Sequence, residues 1–392
     1  MMMMMTTTRS ARLERTVRGW IVGGVLFTAV PVAMSAQANL SSQGFGYPPG
    51  QFSARAQGTG GAIAELDPLS PVNPATLTLL GTRTLFFQME PEFRTVTTSA
   101  GTERTTTARY PVVFGAIPFG SQLVFSLGSS TLLDRTSSTT FLTTQHLSAT
   151  DSVAMTTKFH VDGAMNDVRL AVAWTPATWL RVGVGAHAIA GHNLISVTQS
   201  FADSARFAAF SEARVLSFDG GAVSAGVELV SKNVLAAFSA RRGGSMHLSV
   251  EDTSLTTANV PDRFGASIAF VGIANSTISV RTSHDNWSAL GTLGEPGLKG
   301  VDAWDSSVGA EIAGPKFQDR IIFLRGGFRT RTLPFQAAGS DVKENSLTGG
   351  FGTTLAQGRV IADLAVIHAN RSAAIGASEQ AWTISLGISV RP

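Results

Sequence analysis

From Ala381 to Arg391 the chain alternates strictly, with Trp382, Ile384, Leu386, Ile388 and Val390 apolar, and Thr383, Ser385, Gly387, Ser389 and Arg391 small or polar. Successive side chains of a strand point to opposite faces, so one face here is wholly apolar and the other polar. The pattern recurs. Leu85, Phe87, Met89 and Phe93 oppose Gln88, Glu90, Glu92 and Arg94, and Val168, Leu170, Val172 and Trp174 oppose Asp167 and Arg169. Leu180, Val182 and Val184 oppose Arg181, Gly183, Gly185 and His187; Val223, Ala225, Val227 and Leu229 oppose Ser224, Gly226 and Glu228; Ile322, Leu324 and Phe328 oppose Arg325, Arg329 and Arg331.

Read this way, the chain predicts fourteen strands, at 82–98, 104–118, 121–134, 157–175, 178–199, 207–230, 233–251, 261–273, 276–288, 302–313, 318–332, 344–356, 358–370 and 379–391. An even number of strands with apolar faces is the signature of a bacterial transmembrane barrel, whose apolar side meets lipid and whose polar side lines the lumen. The connections alternate as well. "PFGS", "TPAT", "SKN", "ANS", "GPKF" and "AQG" read as tight turns, whereas 135–156, 252–260, 289–301 and 333–343 read as long loops. Trp174 and Trp179 flank a tight turn, and Trp287, Trp304 and Trp382 lie beside long loops, as two interfacial girdles would. A propeller would need a repeat of about 40–50 residues, which the sequence lacks. A soluble sandwich of fourteen strands would need a linker between two domains, also lacking. The expected fold is therefore all-β, a 14-stranded antiparallel transmembrane β-barrel.

Composition refines this picture at the N-terminus. "RSARLERTVRG" precedes an apolar run, "WIVGGVLFTAVPVAM", and then the small residues Ala36-Gln37-Ala38. That order describes a secretory signal peptide, expected at 1–38. The leader carries Arg9, Arg12, Arg15 and Arg18 against Glu14, which accounts for the whole formal charge of +3. The remainder is close to neutral and gives no case for a nucleic-acid partner. There are no cysteines, so neither disulfides nor thiolate metal sites are expected. No later window is long and apolar enough for a helical span.

Between leader and first strand lies "ARAQGTGGAIAELDPLSPVNPATL", Ala54 to Leu77, rich in Gly, Ala and Pro and nearly uncharged. A barrel of fourteen strands encloses a lumen that must be open or filled. A segment of small residues suits filling it, because glycine permits close backbone approach. The expected division is a plug, or hatch, at 39–80 and the barrel at 81–392. These residues resemble the hatch of the FadL-type outer-membrane transporters of long-chain fatty acids and hydrocarbons: Arg55, Gly58, Gly60, Gly61 and Ala62, then Asp67, then Asn73-Pro74-Ala75. The related PorV/PorQ-type barrels share the pattern, and their Gly-x-Gly-Gly-Ala form is nearer to this one.

The resemblance implies a plug that closes the lumen, with Asn73, Pro74 and Ala75 setting its conformation, and a kink in the third strand that opens a lateral path into the bilayer. In "SQLVFSLGSSTLL", Gly128 is the candidate for that kink; its bland role is to keep the lumen uncrowded. The chain departs from the family in its external links 200–206 and 252–260, which are short and polar where long apolar loops capture substrate. The implied function is passive, plug-gated movement of a fatty acid- or hydrocarbon-like molecule across an outer membrane, with both termini periplasmic. The alternative is a PorV-like barrel that docks or shuttles for a protein secretion system. The expected partners are thus outer-membrane lipid and a hydrophobic ligand, or secretion-system proteins.

No nucleophile elbow, P-loop or zinc-protease motif occurs, and His187, on the lumen face, has no marked serine partner, so neither an enzyme nor a cofactor or metal is expected. The lumen face carries Glu90, Glu92, Arg94, Arg169, Arg181, Glu228, Arg241, Arg281, Glu311, Arg325, Arg329, Arg331 and Asp363. Two roles are open to them. They can form a mutually paired ladder tying strands and plug, or the row Arg325, Arg329 and Arg331, with Glu90, Arg94 and Arg181, can hold a ligand, the arginines gripping a carboxylate head group.

Overall fold

The computed structural model describes residues 44–392 apart from 99–100, 147–150, 252, 294–298, 318–319, 338 and 374–377. The expected leader and the first residues of the expected plug, 39–43, lie outside these. The first strands are β1 (Thr84–Thr98), β2 (Gly101–Phe119), β3 (Leu123–Asp134), β4 (Ser137–His146) and β5 (Ser152–Ala177). They are followed by β6 (Leu180–Phe201), β7 (Phe210–Val230), β8 (Val234–Val250), β9 (Thr253–Asn259), β10 (Arg263–Phe270) and β11 (Ser276–Asp285). The chain ends with β12 (Ala303–Phe317), β13 (Arg320–Ala337), β14 (Ser340–Leu355), β15 (Val360–Ser372) and β16 (Ser378–Val390).

Every pairing is antiparallel, and the sheet closes on itself because β16 pairs β1 and β8 pairs β10. The closed circuit has fourteen staves. β4 and β9 lie off it, as continuations of β3 and of β10 that pair only with β5 and β8. Each of the fourteen expected strands corresponds to one stave. The loop expectations need correction. Much of 135–156, 252–260 and 333–343 is strand, belonging to β4 and β5, to β9, and to β13 and β14. These Ser- and Thr-rich stretches satisfy their backbone groups in ladders that run on past the apolar belt, where polar side chains are tolerated on both faces. "GPKF" likewise falls within β12.

The faces divide as the alternation requires. Leu85, Phe87, Leu127, Val184, Leu324, Phe328 and Trp382 are exposed on the outside, while Gln88, Glu90, Glu92, Arg94, Asp167, Arg325 and Ser385 are buried inside. In water this exterior would forfeit about 25 cal/mol for each Å² of apolar surface left uncovered, a cost that hydrocarbon removes. Trp174, Trp179, Trp304 and Trp382 sit on that outer surface. Trp287 does not: only 4 % exposed, it lies in a short 3-10 turn, Trp287–Leu290, packed inside with Phe45, Leu290 and Leu333.

The interior has two tiers. Toward the tight-turn end the inward side chains are charged and polar, except for a small apolar cluster in which Phe86, Phe114 and Val124 pack on Leu77 and Leu80. Toward the other end they become apolar on several strands at once: Asp167 gives way to Met165, His187 to Ile189, Arg331 to Leu333 and Phe335, and Glu344 to Val342. Phe218, Met246 and Leu248 complete this apolar tier, a chamber filled by its own packed side chains.

Residues 44–80 run through the interior. Ser53 caps a single α-turn, Ala54–Gly58, by accepting from the Ala56 amide, and a 3-10 turn, Pro74–Leu79, starts at Pro74 with Asn73 as its cap. The wall makes room for this segment with glycines. A methyl at Gly226 would collide with the Asn73 side chain and Pro74, and one at Gly327 with the backbone of Thr59 and Gly60. Such overpacking costs about 1–3 kcal/mol where nothing can move aside.

Candidate functional site

The functional geometry is built where the N-terminal segment meets the charged tier. Arg55 donates twice to Glu311, Nε at 3.0 Å and Nη2 at 2.7 Å, and reaches Asp67 at 3.4 Å. Asp67 also accepts from the Ser53 and Ser70 hydroxyls at 2.5 and 2.8 Å, which ties the segment to itself. Gly58 lies against Gly350, its carbonyl accepting from the Thr348 hydroxyl at 3.1 Å. Gly60 and Gly61 take left-handed backbone conformations (φ +69° and +89°), which only glycine adopts without strain, pressed against the Phe328 backbone and the Phe52 ring. The Asn73 side chain donates to the Glu65 carbonyl at 2.8 Å and accepts from the Ala75 amide at 3.0 Å, and Pro74 and Ala75 pack against Gly183.

The lumen charges are paired across strands. Arg325 donates to Glu311 at 2.6 Å and to Asp363 at 2.7 Å; Arg329 engages both oxygens of Asp305; Arg331 donates to Glu344 at 2.7 Å. Arg94 pairs with Glu92 at 2.5 Å and Arg181 with Glu228 at 2.9 Å, while Glu90 accepts from Gln88, Gln57 and Ser385. Each guanidinium of the β13 row thus already holds a carboxylate, the arrangement of the mutual ladder rather than of an open head-group site.

Residues that sequence reasoning did not single out hold the segment most firmly. The Tyr47 ring lies 4.5–5.9 Å from the guanidiniums of Arg371, Arg109, Arg331 and Arg94, and its hydroxyl donates to Glu344 at 3.1 Å. Phe52 lies between Arg281 and Arg329, at 4.7 and 4.8 Å. Cation–π contacts of this kind contribute about 0.5–2 kcal/mol each where water is excluded. Glu65, fully buried, accepts from Arg263, from Arg281 at 3.3 Å and from Ser239 at 2.6 Å. Burial pushes its carboxyl up, yet the two guanidiniums and the hydroxyl hold it below the usual carboxylate range.

His187 does have a serine partner. Its Nε2 lies 2.8 Å from Ser224 Oγ and its Nδ1 2.7 Å from Asp167, whose other oxygen takes Gln51 at 3.2 Å. The order resembles a hydrolytic relay, but Ser224 is buried and lines none of the pockets around Tyr47, Phe52 or the β2–β3 seam. The chain of bonds ties β5, β6 and β7 to the N-terminal segment. Among the described residues no cluster of three His, Asp or Glu side chains could hold a metal ion.

The wall itself is interrupted beside these residues. β2 pairs β1 along most of its length but meets β3 only from Phe119↔Leu123 to Val112↔Ser130. Beyond that pair, 102–111 of β2 pair with neither β3 nor β4 among the described residues. β3 bulges between Thr131 and Leu133 and ends at Asp134, where the N-terminal segment takes over its edge: the Tyr47 amide donates to the Asp134 carbonyl at 2.7 Å, and the Asp134 amide to the Tyr47 carbonyl at 2.9 Å. Gly128 does not break the ladder, since it pairs with Phe114 on one side and Arg169 on the other. The irregularity comes later, at the bulge between Thr131 and Leu133 and the end of the strand at Asp134.

A closed fourteen-stranded barrel with an apolar exterior and an occupied, charged interior is built as a transmembrane barrel, and its fold is shared with solved FadL-type channels. No family model matches the sequence, and no curated protein does. Solved structures with this fold include a Pseudomonas aeruginosa FadL homologue (TM-score 0.60, 12% identity, 88% of this chain and 99% of that one). The P. putida toluene transporter TodX (0.55, 12%, 88% and 99%) and the Ralstonia pickettii toluene transporter TbuX (0.54, 14%, 87% and 98%) are also similar. At such identities the likeness speaks for the fold.

Proposed function

We propose that this protein is a passive outer-membrane channel for a hydrophobic small molecule, fatty acid- or hydrocarbon-like, in which residues 39–80 form a plug inside the 81–392 barrel after removal of a 1–38 leader. The molecule enters the apolar chamber and leaves sideways, through the wall between β2 and β3, into the bilayer. The observation that carries this reading is the ladder between β2 and β3, which stops at Val112↔Ser130 and leaves the adjoining edge to Tyr47. The opening is bridged by the Arg109–Asp134 ion pair at 2.5 Å, so a lateral exit passes this one pair and the Tyr47 ring beside it instead of the full depth of the charged interior. The fold shared with two toluene transporters and a FadL homologue supports the class of cargo. No observation favours the secretion-docking alternative.

Because the chain has no cysteine, the seam can be clamped cleanly. Val113 and Ser129 are cross-strand partners at its lower margin, and the double substitution Val113→Cys with Ser129→Cys places two thiols there. Oxidation, or a short bis-thiol reagent, is expected to stop entry of toluene and of decanoate into cells carrying the barrel, and reduction of the disulfide to restore it. Equal entry through the clamped and unclamped forms, with the cross-link verified by mass, would exclude the lateral route.

A further inference from the structure

A cavity of about 40 Å³ lies between the N-terminal segment and the wall, with Tyr47, Phe52 and Gln57 on one side and Glu90, Arg109 and Thr383 on the other. Gln57 and Arg109, 8 % and 5 % exposed, each bring to it an atom with no hydrogen-bond partner, the acceptor Oε1 and the donor Nη2. The rest of each side chain is engaged. Gln57 Nε2 donates to Glu90, and Arg109 donates through Nε to Asp134 at 2.5 Å and through Nη1 to Glu92 at 2.6 Å. Glu90 is the third polar group of the cavity. Glu92, Glu311, Glu344 and Glu379 each hold an arginine, whereas among the described residues Glu90 forms no ion pair. Its donors are Gln57, Gln88 and Ser385, all neutral and all on the same oxygen, Oε1.

A donor and two acceptors around one small space restrict what can lie there. A cation would meet the Arg109 guanidinium and an anion the Glu90 carboxylate, where little solvent screens the repulsion. All three groups are matched by a neutral molecule that accepts from Arg109 Nη2 and donates to Gln57 Oε1 and to Glu90. At about 10–15 Å³ for each water, the cavity takes about two or three of them.

We infer that this cavity is a hydration site whose water joins Gln57 of the segment to Glu90 and Arg109 of the wall, and that the Ala54–Gly58 turn comes away from β1 here before Glu65 releases β10 and β11. A bridging water holds nearly as well as a direct hydrogen bond, yet it exchanges and can stay with either surface as they part. The turn's other links to β1 are neutral too. The Ala54 amide donates to Gln88 Oε1 at 2.8 Å, and Gln88 Nε2 donates to the Phe52 carbonyl at 2.9 Å. On the far side Glu65 is paired with Arg263 and Arg281. Separating a buried ion pair strands two charges, whereas neutral bonds beside water are replaced by water as they break. The hydration site does not depend on the identity of the cargo.

The full-length protein in bilayer discs provides the test. Hydroxyl radicals made by an X-ray pulse oxidise a buried ring only where water lies beside it. Tyr47 and Phe52 are expected to be oxidised, and Phe218 and Phe335, buried in the packed tier, to be spared. Gln57→Leu, which keeps most of the bulk and removes the acceptor, is expected to lose most of that oxidation. Equal silence of all four rings, or oxidation indifferent to Gln57→Leu, overturns the hydration site. The order of parting is read with two matched thiols, since the chain has no cysteine. Ser385 donates to Glu90 at 3.2 Å and Ser239 to Glu65 at 2.6 Å, so Ser385→Cys and Ser239→Cys each report on one joint. A charged methanethiosulfonate is expected to modify Ser385→Cys about tenfold faster than Ser239→Cys, because no ion pair must break first. Equal rates, or the reverse, overturn the order of parting. Heat-modifiable migration in gels confirms that each variant has folded.

Discussion

Glu65 shows how single residues hold the N-terminal segment in place. Among the described residues its carboxylate alone pairs with both Arg263 and Arg281 on neighbouring strands, so one substitution strips a partner from each. Removing one member of a buried ion pair costs about 3–5 kcal/mol. Glu65→Gln is therefore expected to loosen the segment by about 3 kcal/mol, seen as protease cleavage within 44–80 while the barrel stays folded. The pH dependence has a definite sign. With its folded value held below the ordinary one, Glu65 contributes its full stability above the usual carboxylate range and loses it as the pH falls through the folded value. Acid should thus release the segment in the native protein, and the Gln variant should lack that dependence. Unchanged cleavage in the variant would mean that the clamp does not hold the segment.

Among the elements, β2 and β3 make the sharpest claim. Among the described residues, the amides of 102–111 that face away from β1 have no strand partner, whereas those of 112–119 do. Residue-resolved hydrogen exchange should find every second amide of 102–111 fast and the 112–119 stretch slow; protection across both would mean the seam is closed. The strands themselves were legible in the sequence, because lipid demands an apolar face with a period of two, and residues such as Leu85, Phe87 and Trp382 obey it. What lay beyond reading was partnership. Which carboxylate meets Arg325 depends on the register of three strands, and an aromatic ring such as Tyr47 among guanidiniums leaves no spacing in the chain. The apolar chamber did leave a signal: Arg329, Arg331, Leu333 and Phe335 share one face, so an inward arginine implies two inward hydrophobes. Gly128 lies in a ladder paired on both sides, so a glycine within a strand did not mark the place where pairing ends.

For the molecule as a whole, the outer surface is the strongest claim, and tryptophan can report on it. Bilayers containing brominated lipid are expected to quench Trp174, Trp179, Trp304 and Trp382 in single-tryptophan variants and to spare Trp287, which is buried in the chamber. Comparable quenching of Trp287 would place it outside and contradict the two-tier interior.

The staves differ greatly in length. β5 and β6 have 26 and 22 residues, β10 and β11 only 8 and 10, while about 9–11 suffice to cross hydrocarbon. A bilayer of uniform thickness must then meet a palisade on one flank and a low sill on the other. Solutes sliding along the water–lipid boundary would reach the mouth most easily over that sill, so arrival would have a compass bearing before any chemistry selects among them.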